Sequence, residues 1–163
     1  MGFYHSTRSA SPTFTSKEAI RRGIAPDGGL FVSDDLGGTT IDISTLANKD
    51  YPTLAREVMG ALLPDYSADE IAACVDEAYT GTFASNEVTP LVPLSQAPNA
   101  DGTPTYVMEL FGGPTSAFKD VALQMLPRLM ARTAGAEGER IMIVTATSGD
   151  TGKAALAGFA DAP

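Results

Sequence analysis

With 163 residues, 44% of them hydrophobic and 19% charged, the chain holds enough apolar material for a folded core, and no run approaches the roughly 18 consecutive apolar residues of a membrane span. A formal net charge of −9 excludes the basic footprint of a nucleic-acid groove and any attraction to an anionic membrane surface, so neither nucleic acid nor membrane is expected as a partner. Cys74 is the only cysteine, which rules out an internal disulfide, and residues 1–8 lack the basic-then-apolar layout of a secretory leader, so a cytoplasmic location is expected.

In chain order, Thr15-Ser16-Lys17-Glu18 is a capping box, which predicts a short helix over Ser16–Arg22 stopped at Gly23. Pro26-Asp27-Gly28-Gly29 reads as a turn and Leu30-Phe31-Val32 as a short strand. Asp50 and Pro52 open a second helix, with Leu54, Val58, Ala61 and Leu62 at helical spacing and Pro64 ending it. Ser67-Ala68-Asp69-Glu70 is a second capping box; Ile71, Val75, Ala78 and Tyr79 line one face of the helix it starts, and Gly81 stops that helix. Cys74 falls on the buried side of this helix, which points to packing rather than chemistry. Residues 1–87 therefore read as a mainly helical unit with a small β element and no chemistry of its own.

Beyond Asn86, Pro90, Pro93, Pro98 and Pro104 punctuate short apolar pieces. Thr105–Phe111 is a strand candidate. A helix is expected over Ser116–Arg132, with Pro127 kinking or interrupting it because proline removes the amide bond to residue 123. Gly135–Gly138 is a turn, and Arg140–Thr145 a continuous apolar strand of the kind buried on both faces of a parallel sheet. A glycine-bearing loop, 147–152, precedes a helix over Lys153–Ala160. Residues 88–163 thus follow the grammar of an open parallel sheet, the first βαβα part of an α/β domain. In such sheets ligands bind beyond the carboxyl ends of the strands, so the loops at 112–116 and 147–152 are expected on one edge.

The first of these loops leads into Lys119. A lysine at the first turn of a helix faces the positive end of the dipole, and partial burial against Phe118 disfavours its ammonium further. Both effects favour the neutral amine, the form that attacks a carbonyl to make a Schiff base. A solvated surface lysine fits the local pattern too. For the loop 147–152, Gly152-Lys153 matches the end of a phosphate-gripping nucleotide loop, but Thr147 and Ala154 stand at its first glycine and its magnesium-holding hydroxyl. The other reading is a carboxylate-binding helix N-terminus, with hydroxyls from Ser148 and Thr151 and outward amides; a plain capped helix start also fits. Asp150 suits a cation, a hydroxyl or a cap better than an anion.

Gly113-Pro114-Thr115-Ser116-Ala117-Phe118-Lys119-Asp120-Val121-Ala122-Leu123-Gln124 resembles the cofactor-lysine segment of the threonine synthase family, and Thr145-Ala146-Thr147-Ser148-Gly149-Asp150-Thr151-Gly152 resembles the substrate loop of the same family. Phe3-Tyr4, Ser6-Thr7-Arg8 and the run Gly23 to Phe31 resemble the family's N-terminal signature, so the matched patches span the chain in the family's order.

The resemblance implies a pyridoxal 5′-phosphate enzyme of the tryptophan-synthase-β structural type that converts O-phospho-L-homoserine and water to L-threonine and phosphate. It implies residues 1–87 as the N-terminal domain and 88–163 as the start of the catalytic α/β domain. By the same analogy Lys119 forms the Schiff base with the cofactor and shuttles protons, Phe118 walls the cofactor, and Asp150 stands beside its 3′ oxygen. Thr147, Ser148 and Thr151 hold the substrate carboxylate, and no metal is implied. Enzymes of this type are much longer and carry a phosphate-cradling glycine loop downstream. The chain is therefore expected to be an N-terminal portion that holds the lysine without the complete cofactor site. A serine/threonine dehydratase-like enzyme is the nearest alternative, but Asp120 after the lysine and Asp150 in the second loop depart from its pattern. A non-catalytic homologue acting as a binding module is disfavoured by the intact Lys119. Nothing in the sequence names an oligomeric partner.

Overall fold

A computed structural model of the chain describes residues 3–94, 99–133 and 141–160. It opens with a three-stranded antiparallel sheet in which β1 (Tyr4–Ser6) lies between β2 (Ser9–Phe14) and β3 (Phe31–Ser33). The pairing Tyr4 with Ser33, His5 with Val32 and Ser6 with Phe31 sets the register. Between β2 and β3 comes α1 (Ser16–Arg22), where both halves of the capping box form: the Glu18 amide donates to Thr15 Oγ1 at 3.2 Å and the Thr15 amide to Glu18 Oε2 at 2.8 Å. The turn after α1 is tied to β1. Ser6 Oγ donates to Asp27 Oδ1 at 2.6 Å, the Gly29 amide to the same oxygen at 2.9 Å, and Arg8 Nη1 to the Asp27 carbonyl at 2.9 Å. A Cβ on Gly29 would stand 2.1 Å from Ser6 Oγ, so only glycine lets turn and strand meet this closely.

A short helix, α2 (Ile43–Leu46), leads to α3 (Tyr51–Leu62) and α4 (Ala68–Tyr79). Asp50 caps α3 by accepting from the Thr53 amide at 3.0 Å, and Ser67 and Glu70 form the second capping box. The core gathers Tyr66, Ile71, Cys74, Val75, Ala78, Tyr79 and Val88 against Met125 and Leu129 of α5 (Asp120–Ala131). The apolar stripe predicted for α4 is the buried one. Burial pushes the Cys74 thiol up to about 11, in keeping with a packing role. Two buried tyrosines lock α5 onto this layer: Tyr79 Oη donates to the Val121 carbonyl at 2.9 Å and Tyr66 Oη to the Leu129 carbonyl at 3.1 Å. Burial raises both phenols well above their ordinary value.

The second half is α/β in content, with three departures from expectation. First, α5 begins at Asp120, not Ser116, because Ser116 takes a left-handed backbone at φ 55° that no helix contains. Second, α5 runs through Pro127 without interruption. Third, the strand formed from the Thr105–Phe111 run, β5 (Tyr106–Met108), pairs antiparallel with β4 (Leu91–Pro93), Leu91 opposite Met108. Residues 141–147 carry no assigned secondary structure and join no ladder, so the parallel sheet does not occur among the described residues. A strand buried on both faces needs neighbours on either side; here Met142 and Val144 are 85% and 82% exposed. The expected turn at 135–138, Arg140 and Pro98 lie outside the described residues. The final helix, α6 (Asp150–Ala160), starts three residues ahead of the expected Lys153, so 150–152 belong to the helix and not to the loop, and it packs on α5. Among the described residues no helix is long and apolar enough to cross a membrane.

Candidate active site

The approach to Lys119 is held from both sides. The Glu109 amide donates to the Pro90 carbonyl at 2.9 Å and the Ala84 amide to the Gly112 carbonyl at 2.8 Å. Between those anchors Val88 sits at φ 60°, with the Thr89 amide donating back to the Glu87 carbonyl at 2.6 Å. This γ-turn is strained for a β-branched residue; Val88 is nevertheless buried in the core, which holds the turn in place.

From Gly113 the chain folds around the carboxylate of Asp120. Thr115 donates its amide to Asp120 Oδ2 at 2.8 Å and its hydroxyl to Oδ1 at 2.7 Å, and the Ala117 amide reaches Oδ2 at 3.4 Å. Asp120 is fully buried. A Cβ on Gly113 would lie 2.5 Å from both Asp120 Cβ and Oδ2, so glycine is required there. In the sequence Asp120 stands out only as the residue that follows the lysine. Its signal was an acidic residue at the first turn of a helix with Gly113 and Thr115 a few residues earlier, a cap whose donors precede it instead of following.

Lys119 ends this turn in helical geometry and its carbonyl accepts from the Leu123 amide at 2.8 Å. The side chain is half-buried, and Nζ lies 3.6 Å from the centroid of the Phe118 ring, a cation–π distance. Among the described residues no carboxylate pairs with it, whereas Lys17 pairs with Glu70 at 2.7 Å and Lys153 with Asp150 at 3.3 Å. Phe118 is 56% exposed. Among the described residues the result is a lysine without an ion-pair partner on an open aromatic face at the head of a helix, its Nζ accessible to a carbonyl compound.

At the second loop, Gly149 takes φ 134°, its amide donating to Thr147 Oγ1 at 3.2 Å and its carbonyl accepting from the Lys153 amide at 2.9 Å. A Cβ on Gly152 would meet Thr147 Cγ2 at 2.9 Å. Thr147, Ser148 and Asp150 are exposed and Thr151 half-buried. Among the described residues the hydroxyls of Ser148 and Thr151 make no hydrogen bond, which leaves both open to a ligand beside the helix start.

The two helices that follow these loops are clasped together. Arg128 Nη1 donates to the Gln124 carbonyl at 2.8 Å and to the Gly158 carbonyl at 3.2 Å. Lys119 itself makes no hydrogen bond or ion pair with Thr147, Ser148 or Thr151 among the described residues. A separate apolar cleft of about 860 Å³ lies between the end of α1, the 141–145 segment, α5 and α6; Thr151 is on its wall and Lys119 is not.

Compared with known proteins, residues 3–79 match the family model described as threonine synthase N terminus. The chain is 42% identical to the threonine synthase of Schizosaccharomyces pombe over 96% of its own length and 31% of that protein, and 40% identical to that of Pseudomonas aeruginosa over 95% and 32%. The crystal structure of pyridoxal-phosphate-bound threonine synthase from Brucella melitensis superposes with a TM-score of 0.86 at 37% identity, over 100% of this chain and 34% of that one. The chain thus spans about a third of the length of the curated relatives it matches.

Proposed function

We propose that this chain, which carries the N-terminal region of the threonine synthases, supplies the cofactor lysine of a pyridoxal 5′-phosphate enzyme converting O-phospho-L-homoserine and water to L-threonine and phosphate. The observation that carries the reading is the unpaired Lys119 amine over the Phe118 ring at the head of α5.

The donor set fits the cofactor. Lys119 offers an amine that no acidic neighbour among the described residues holds as an ion pair, Phe118 offers an exposed aromatic wall, and Asp150 offers a solvent-facing carboxylate for the ring's 3′ oxygen. When bound, pyridoxal phosphate supplies an electron sink for carbanion character next to nitrogen. Lys119 would hold the cofactor through its carbonyl carbon, the oxygen leaving as water, and its Nζ would serve as the group that takes and returns protons. Thr147, Ser148 and Thr151 orient the substrate carboxylate with their hydroxyl hydrogens and the amides of the first turn of α6, where the helix dipole favours an anion. In this reading residues 1–87 brace the unit, residues 88–163 begin the catalytic domain, and the protein works in the cytoplasm.

The test needs no turnover. The chain is incubated with pyridoxal 5′-phosphate, reduced with borohydride and digested, and the pyridoxyl group is located by mass spectrometry. Lys119 is the expected carrier. Lys119→Ala removes that label and, wherever O-phospho-L-homoserine is turned over, threonine formation with it. A label confined to Lys153, or none on any lysine, defeats the reading.

A further inference from the structure

We propose that Asp120 is the positioning residue for Lys119, acting through the lysine's backbone and not through charge. The inference rests on the reading of Lys119 as the cofactor lysine. Its ground is a closed ring of hydrogen bonds around residues 117–120. The Asp120 amide donates to the Ala117 carbonyl at 2.9 Å while the Ala117 amide donates to Asp120 Oδ2 at 3.4 Å. Phe118 and Lys119 are the two residues inside that ring. Thr115 adds two further donors to the carboxylate, and the Ser116 amide donates to the Gly113 carbonyl at 3.1 Å. Neither Phe118 nor Lys119 can change backbone direction without breaking a bond to Asp120.

The burial of Asp120 is explained by the same donors. A carboxylate withdrawn from water without a cation requires other partners. Among the described residues no cation pairs with Asp120; two amides, one hydroxyl and the positive end of α5 take that place. A neutral amide of the same shape can keep this frame. In Asp120→Asn the side-chain oxygen can accept from the Thr115 and Ala117 amides, and its NH₂ can donate to the Thr115 hydroxyl, which accepts as readily as it donates. In Asp120→Ala all three bonds go, two amides are orphaned and the turn loses its centre.

The experiment compares the labelling rate of Lys119 by pyridoxal 5′-phosphate and borohydride with that of exposed Lys49 in the same molecule, for the unsubstituted chain, Asp120→Ala and Asp120→Asn. Each is held below its own melting temperature, so that loss of fold does not enter the ratio. Asp120→Ala is expected to lower the Lys119-to-Lys49 ratio at least about tenfold, since a misplaced reacting group loses its orientation advantage. Asp120→Asn is expected to restore it to within about twofold. If Asp120→Ala does not fold, Thr115→Val, which removes one donor and keeps the shape, takes its place with about a threefold loss. An undiminished ratio in Asp120→Ala, or in Thr115→Val where that replaces it, overturns the positioning role alone. A ratio in Asp120→Asn as low as in Asp120→Ala overturns the claim that charge is dispensable. No label on Lys119 in the unsubstituted chain overturns the reading of the lysine and the positioning role with it.

Discussion

Asp27 and Asp120 do the same work at two places in the chain: a short carboxylate gathers the donors of a tight glycine-bearing turn. At Asp27 the hydrogen bonds from Ser6 and the Gly29 amide, then the charge of Arg8, hold the carboxyl below its ordinary value of 3.8. A depressed carboxyl favours the folded state above its ordinary value, and that contribution disappears as pH falls through the lower folded value. At pH 7 the unsubstituted chain is therefore expected to melt above Asp27→Asn. The gap should close as pH drops below the ordinary carboxylate range, where both side chains are neutral. Thermal denaturation followed by circular dichroism across pH 2 to 7 reads this directly; a gap of constant size would mean that Asp27 contributes through shape and not ionisation. Neither aspartate's task was legible as a local pattern. Asp120 collects donors that precede it, and Asp27 adds Ser6 from another strand to the nearby Gly29 amide, while sequence rules for caps look forward by three residues.

Among the elements, the helices capped by local boxes were legible to within a residue or two, because donor and acceptor lie three positions apart and need no tertiary partner. Pro127 was not legible. Its missing amide leaves the Leu123 carbonyl without an i+4 donor, and the element that fills this place is α6, distant in sequence. A Cβ on Gly158 would lie 1.9 Å from the Leu123 oxygen and 3.4 Å from Pro127 Cγ, so the glycine turns a backbone hydrogen toward that carbonyl, as in a Cα–H···O contact. Arg128 closes the same crossing from the next position. Gly158→Ala is thus expected to push α6 off α5 and to destabilise the chain by about 1–3 kcal/mol, the usual size of overpacking. Urea denaturation checks it. An unchanged midpoint would mean that α6 is free to shift, and that the clasp contributes little to stability.

At the scale of the molecule, the helical layer encloses an apolar core while the 141–144 run stays largely exposed. Its apolar character was plain in the sequence, but burial of a strand depends on what lies on either side, and no strand pairs with it among the described residues. Exposure alternates along the run: Ile141 and Ile143 are 48% and 41% exposed, Met142 and Val144 85% and 82%, the period-two signature of a strand with one face partly shielded. All four residues line the apolar cleft of about 860 Å³ formed with α1, α5 and α6. Contiguous apolar surface of this kind is unusual on a folded monomer and gives an apolar dye somewhere to bind. The chain is expected to enhance the fluorescence of anilinonaphthalene sulfonate while folded, and the double substitution Met142→Glu, Val144→Asp to remove more than about half of that enhancement. Because neither side chain is packed in the core, far-UV circular dichroism should stay unchanged. Enhancement that survives the substitutions would locate the dye on the β4–β5 hairpin instead, where Leu91 and Tyr106 are also exposed.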